Sequence, residues 1–215
     1  MTIDHESKVA LVTGASNGIG LELAKNLLSN NWVVFGTGRD IASLENIKAR
    51  FPKFIALYAD FTQNKAIERV VKYIKSSGLP LHLLVQNAGM KSTPRPLAQY
   101  DCNSIDEVFQ VNLLAPMKLT ALLAEQMPNQ SRILFVTSRA ANLKLKESST
   151  YCASKAGLDE VTAIVRQELQ EKNIGVSCVI PGEVDTRIQK ILRETTSFHL
   201  HKMFDEAYQA GQLID

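Results

Sequence analysis

The sequence predicts an α/β protein built on a doubly wound parallel sheet. Six short apolar runs recur along it, helical stretches separate them, and a glycine-rich turn follows the first run. Strand–helix alternation of this kind is the pattern of parallel β-α-β units, and the layers it implies are helix, sheet, helix, a Rossmann-type arrangement.

The runs are "VALV" (9–12), "WVVF" (32–35), "FIALY" (54–58), "LHLLV" (81–85), "ILFV" (133–136) and "VSCVI" (176–180). Most are continuous rather than alternating, as expected of strands covered on both faces. Between them, Leu21, Leu23, Ala24, Leu27 and Leu28 carry helical spacing, as do residues 113–127 and 156–169. Residues 90–103, "MKSTPRPLAQYDCN", hold two prolines and no periodicity, which predicts a loop. No repeat or linker divides the chain, so residues 1–215 read as one domain.

Composition narrows the function classes. A net charge of +2 offers no basic footprint for nucleic acid, and no apolar run approaches the roughly 18 residues that span a bilayer. The polar start "MTIDHESK" is unlike a secretory leader. Cys102, Cys152 and Cys178 form no C-x-x-C, which predicts reduced thiols and a cytoplasmic setting. The four histidines form no metal-binding spacing, so no metal site is expected.

The turn after the first strand is "TGASNGIG" (13–20). Gly14, Gly18 and Gly20 stand where a strand must turn sharply into a helix, a geometry that lets backbone approach a pyrophosphate at the helix N-terminus. A glycine turn alone is weak evidence; its place between a buried strand and an amphipathic helix strengthens it. Later come "ADFT" (59–62), "QNAG" (86–89), "VNLLAP" (111–116), "VTS" (136–138), "YCASK" (151–155) and "PGEVDT" (181–186). In this order, over nearly the whole chain, they resemble the motifs of the short-chain dehydrogenases/reductases.

That resemblance implies an NAD(P)-dependent oxidoreductase acting on CH–OH or C=O. It puts the cofactor against Gly14, Ser16, Asn17, Gly18, Ile19 and Gly20, with Asp60 and Phe61 at the adenine. Asn87, Ala88 and Gly89 would support it, and Pro181, Gly182, Val184 and Thr186 would meet the nicotinamide end, together with Tyr151 and Lys155. Gln86 departs from the more usual Asn. At the second strand's tip, NAD-preferring members carry Asp where this chain has Gly38, and Arg39 follows. A guanidinium fork suits a 2′-phosphate, so NADP(H) is the expected cofactor, although Asp40 offsets the charge and Asn17 replaces a second cation of many NADP-using relatives.

Tyr151 and Lys155, four apart on a helix, share one face. Alone, that pair also describes a surface lysine beside a half-buried aromatic. With Ser138 thirteen residues earlier, the resemblance makes them a catalytic set. Lys155 would draw the phenol down from its usual pKa of about 10, Tyr151 would exchange a proton with the substrate oxygen, and Ser138 would hydrogen-bond it. Asn112 would support a water leading protons to Lys155.

Residues 136–215 look most like the branch holding benzil reductase and sepiapterin reductase, which implies a small ketone or 1,2-dicarbonyl substrate walled by Leu143, Leu145, Ile188 and Ile191. The same residues also suit ordinary packing, and a 3-oxoacyl or steroid-type reductase is the nearest alternative. A catalytically silent NADP-binding regulator would lack Ser, Tyr or Lys, and all three are present. Family members pair helices into homodimers or homotetramers, and "LLAPMKLTALLAEQM" (113–127) is apolar around much of its circumference. They also end in another helix and a seventh parallel strand, which residues 187–215 lack, so the chain reads as shortened or as a fold without that strand. Residues 183–204 are expected to form a lid.

Overall fold

The computed structural model describes residues 7–182, 184–196 and 198–212, with residue 187 described by its backbone alone. Six parallel strands form one sheet in the order β3-β2-β1-β4-β5-β6: β1 (Val9–Val12), β2 (Val33–Gly38), β3 (Phe54–Tyr58), β4 (Leu83–Gln86), β5 (Arg132–Val136) and β6 (Gly175–Val179). Order reverses between β1 and β4, and the crevice at the carboxyl ends of those strands is where such sheets take ligands.

Period-two alternation within the strands sorts side chains to two dry faces. Leu11, Phe35, Leu84 and Phe135 point to one face, where α3 (Asn64–Ser76), α5 (Ala115–Leu123) and α7 (Ser149–Glu168) cover them with Ile67, Val70, Leu119 and Leu158. Ala10, Val12, Val34 and Val85 point to the other, under Ala24 and Leu27 of α1 (Gly18–Ser29) and Leu44 of α2 (Ile41–Arg50). The expectation of strands buried on both faces fails at β6, where Ser177, Cys178 and Val179 are exposed.

Other departures have local causes. β2 runs on to Gly38, because Thr37 and Gly38 keep pairing with Leu57 and Tyr58 after the apolar run ends. The stretch 90–103 is a loop only in part: α4 (Cys102–Phe109) starts inside it, capped by Asp101, whose carboxylate accepts from Ser104 N at 2.8 Å and Ser104 Oγ at 2.6 Å. Residues 113–127 are not one α-helix, since a π-turn over 110–114 precedes α5 and a 3₁₀ turn over 124–126 follows it. After β5 comes α6 (Ala140–Leu143), and beyond β6 lie α8 (Arg187–Glu194) and α9 (His201–Gln209), which bury Leu192, Phe198 and Phe204 in a small cluster of their own. Among the described residues no seventh strand joins the sheet and no helix is long and apolar enough to cross a membrane. Residues 183 and 197 of the expected lid, and 213–215, lie outside the described residues.

Candidate active site

The turn after β1 is held to its neighbours by hydrogen bonds from one hydroxyl. Thr13 Oγ1 donates to Val85 O at 3.1 Å and accepts from Asn87 N and Ala88 N, both at 2.9 Å. Asn87 Nδ2 returns a bond to Thr13 O at 2.8 Å, and Ala15 N donates to Thr37 O at 2.8 Å. The ends of β1, β2 and β4 are thereby locked together at the topological switch. Gly14 turns there with φ +70°, which a side chain would strain. A Cβ on Gly20 would lie 2.3 Å from Gly14 O and 2.4 Å from Asn87 Nδ2, so only glycine lets α1 start this close to the turn. Asn17 makes no side-chain cap, leaving the first N–H groups of α1 to an outside acceptor. This backbone cradle fits a pyrophosphate.

The remaining cofactor-side residues gather around it. Thr186 packs over Gly18, its Cγ2 3.4 Å from where a Cβ would stand. Asp60 accepts from Thr62 N and Oγ1 at 3.1 and 3.0 Å, beside the buried Phe61. Arg39 is exposed just after β2. Asp40 caps α2 instead of neutralising it, accepting from Ser43 N at 3.1 Å and Ser43 Oγ at 2.6 Å, bonds that hold its carboxyl below the usual range. A Cβ at residue 38 would sit 2.8 Å from Ser16 Oγ and 2.9 Å from Ser16 Cβ, so a side chain there would have to displace Ser16. Val184 and Gly182 close the loop after β6 with a Val184 N to Gly182 O bond of 3.1 Å.

On the other side of the crevice, β5 delivers Ser138 and α7 presents Tyr151 and Lys155. Tyr151 is 7% and Lys155 4% exposed. Lys155 Nζ donates to Val136 O at 2.9 Å, and burial pulls its pKa down to about 8, partly opposed by Asp159 one turn on. Tyr151 moves the opposite way to expectation. Burial raises its pKa, and a hydrogen bond with Ser138 only partly offsets this. The lysine's nearest acceptor is a backbone carbonyl, not the phenol, so desolvation outweighs the ammonium and the phenol stays protonated.

A family model described as short chain dehydrogenase matches residues 8–197. The chain belongs to that family. Among its relatives is a benzil reductase ((S)-benzoin forming) of Saccharomyces cerevisiae, 32% identical over 225 residues, covering 97% of this chain and 85% of that protein. A short-chain dehydrogenase/reductase structure from the same yeast superposes with a TM-score of 0.90 at 28% identity, over 97% of this chain and 85% of that one. A metagenomic short-chain oxidoreductase in complex with NADP superposes with a TM-score of 0.78 at 29% identity, over 84% and 85%.

Asn112 and Gln86 both tie neighbouring elements together. Asn112, fully buried in the π-turn, spends both amide hydrogens, on Met90 O at 2.9 Å and Ser154 Oγ at 3.0 Å, and accepts from Met90 N at 2.8 Å. Both side-chain donors are thus used within the protein, and they tie the loop after β4 to α7. Gln86 reaches across to Pro116 O at 3.1 Å, anchoring β4 to α5. The expected substrate wall is also redistributed: Leu143 is 57% exposed on α6, and Ile188 packs with Leu192, Phe198 and Phe204.

Sequence reasoning passed over Thr13, Ser154 and Lys91. Thr13 stands in a quoted motif, but its hydroxyl's partners are 72 to 75 positions away. Lys91 lay in a stretch without periodicity; the fold buries it to 6% exposure against the ring of Tyr151. A depression of about 410 Å³ beside Asn103, Asp106, Glu107 and Gln110 contains none of these residues, and its acidic rim is wrong for a phosphate. Among the described residues no cluster could hold a metal.

Proposed function

We propose that this protein is an NADPH-dependent carbonyl reductase acting on small ketones or 1,2-dicarbonyls. The observation that carries the reading is a buried Tyr151, in reach of Ser138 and one turn from the buried Lys155, in a fold whose glycine turn stands at the sheet's switch point. The similarity to a protein named benzil reductase supports the substrate class, and the NADP complex of a structural relative supports the cofactor.

Bound NADPH would supply the hydride. The cradle of Gly14, Ser16, Asn17, Gly18, Ile19 and Gly20 would hold its pyrophosphate, with Asp60, Phe61, Asn87 and Ala88 along the adenosine half and Gly89 beside Lys155. Pro181, Gly182, Val184 and Thr186 would flank the nicotinamide. Ser138 hydrogen-bonds the substrate oxygen, and Tyr151 protonates it as negative charge develops there. Lys155, freed from Val136 O, hydrogen-bonds the nicotinamide ribose. Asn112 acts by position, fixing Met90 and Ser154 on either side of the Tyr151–Lys155 turn. Arg39, with Asp40 occupied by Ser43, pairs with the 2′-phosphate.

The test is NADPH absorbance with benzil as substrate. Tyr151→Phe keeps the ring and removes the proton, and should lower kcat by roughly 10²–10⁴ with cofactor affinity nearly unchanged. Turnover at the parent rate would sink the mechanism. Arg39→Ser should weaken NADPH by about ten- to a hundredfold and NADH little; equal affinity of the parent for both cofactors rules the assignment out.

We also infer a homo-oligomer, a dimer or tetramer paired through α5 and α7. Leu114 just before the first, Met117 and Leu122 along it, and Ile164 on the second are large apolar side chains between 39% and 46% exposed. A monomeric mass by light scattering at micromolar concentration would remove the idea.

A further inference from the structure

Among the described residues Lys91 is the one buried ammonium whose chemistry the proposed reaction leaves unused. Its residue is 6% exposed, and its Nζ lies 5.1 Å from the centroid of the Tyr151 ring and 5.5 Å from that of Phe198. Two ring faces replace part of the lost hydration. Neither accepts a conventional hydrogen bond, and no described residue makes a hydrogen bond or ion pair with the ammonium. Among the described residues its three donors find no acceptor, and the nitrogen is not sealed from solvent, so they remain open to a ligand. A methionine or leucine would fill the same space without the penalty of burying an unpaired charge. Burial lowers this lysine's pKa to about 8, and the Cys152 thiol beside it pulls weakly the other way, so the group is still charged at neutral pH.

The position limits what can answer that charge. The reacting carbonyl oxygen belongs at the hydroxyls of Tyr151 and Ser138, and Lys91 lies over the face of that same Tyr151 ring. The ammonium is therefore placed for a group bonded to the reacting carbon. The fully buried Phe198 ring lies against the same ammonium and helps to fix it beside the tyrosine.

We propose that Lys91 is a specificity-determining residue that binds a carboxylate attached to the reacting carbonyl, making 2-oxo acids with an apolar side chain preferred substrates. This rests on the carbonyl-reductase reading and narrows its substrate class. A carboxylate is favoured over the second carbonyl of a neutral diketone because charge-assisted bonds are roughly twice as strong, and a low-dielectric site widens the gap.

Benzil and benzoylformate form a matched pair, the second carrying a carboxylate where the first carries a benzoyl group. Binding of benzoylformate to the NADP⁺-loaded protein is measured by calorimetry, and reduction of both compounds by NADPH oxidation. Lys91→Met should weaken benzoylformate binding and raise its KM by about ten- to a hundredfold, with kcat little changed. KM for benzil should move less than about threefold, and Lys91→Arg should restore benzoylformate. Lys91→Met should melt no lower than the parent, since it removes an unpaired charge and keeps the packing.

Failure of the parent to bind benzoylformate, or equal effects of Lys91→Met on both compounds, overturns the proposal. If neither compound is reduced but benzoylformate binding still requires Lys91, the carboxylate site stands and the reductase reading falls. If benzil is reduced through Tyr151 while benzoylformate binding ignores Lys91, the reductase reading stands and this inference falls.

Discussion

The two halves of the sheet, β3-β2-β1 and β4-β5-β6, are built differently. At β2 every residue from Val33 to Gly38 is buried, and the turn beside it is fixed by four hydrogen bonds to Thr13 and Asn87. At β6 only Val176 is buried, and the chain beyond packs its apolar residues, Leu192, Phe198 and Phe204, on one another rather than on the sheet. The first half is shaped to hold a rigid, charged cofactor portion in one geometry. The second leaves α8 and α9 supported mainly by their own cluster, an arrangement with little energy resisting movement over the substrate. Rigidity is concentrated where binding geometry is invariant, and weak attachment where a substrate must enter.

The largest effect should come from crowding the rigid half. Gly20→Ala drives a methyl group into Gly14 O and Asn87 Nδ2, and neither backbone nor the bonded amide can yield without unlocking β1 from β4. NADPH binding should be lost and the midpoint of thermal unfolding should fall by many degrees. Gly89→Ala is the control. Its Cβ would meet Asn112 Oδ1 at 3.5 Å and Lys155 Nζ at 3.6 Å, ordinary contact distances, so the fold should persist. Equal melting of Gly20→Ala and parent would show that the turn is not rigid.

In the other half, Phe198→Ala removes a fully buried ring from a cluster of three buried residues. Such truncations cost about 3–5 kcal/mol. Here the loss should fall on α8 and α9 alone. Hydrogen exchange should show amides 188–196 and 198–209 losing protection while β1, β2 and β4 keep theirs. Uniform loss of protection across the sheet would show that the two halves unfold as one unit.

Two buried lysines give the comparison a pH readout. Lys91 and Lys155 both fall from an ordinary 10.5 to about 8 by burial. Between about 8 and 10 the unfolded chain holds protons the folded one has released, so stability should rise with pH across that window. The slope is at most about 1.4 kcal/mol per lysine for each pH unit. Tyr151, raised by burial above its usual 10.0, reverses the trend above about pH 10, where the unfolded phenol ionises first. Melting temperatures from pH 7.5 to 10.5 should show the rise, and Lys91→Met should roughly halve it, leaving the share of Lys155. A fall in stability from pH 8 to 10 would contradict the burial of both ammoniums.

The same contrast governs what could be read from the residues alone. The glycine turn and "VALV" were legible because strand, turn and helix signals are local and agree. β2 was cut short at Phe35 because Thr37 and Gly38 carry no apolar signal, though they pair fully with β3. The Asp101 cap was hidden in a proline-bearing stretch. The pairing of Tyr151 with Lys155 was readable from spacing, but the direction of the phenol's pKa was not, because it depends on desolvation by elements far away in sequence. Lys91 and Phe198 are over a hundred residues apart, and only the fold sets one ring against the other's ammonium.

The smallest effect should come at the outer rim of the sheet. Among the described residues no strand pairs with the free side of β6, and Val179 and Ile180 at its end are 43% and 47% exposed. An exposed edge with apolar side chains is a template for pairing with another chain. Ile180→Lys places a charge there without removing a buried contact, so stability should change by no more than about 0.5 kcal/mol. Aggregation on concentration or heating should slow, because a second edge can no longer dock without burying the ammonium. The same substitution at Val34, fully buried in β2, should abolish folding, since the charge would enter a dry face with no partner. Light scattering of the Ile180→Lys protein at rising concentration is the measurement. An aggregation rate equal to the parent's would place the association elsewhere on the surface, and a large loss of stability would show that this edge is covered in solution.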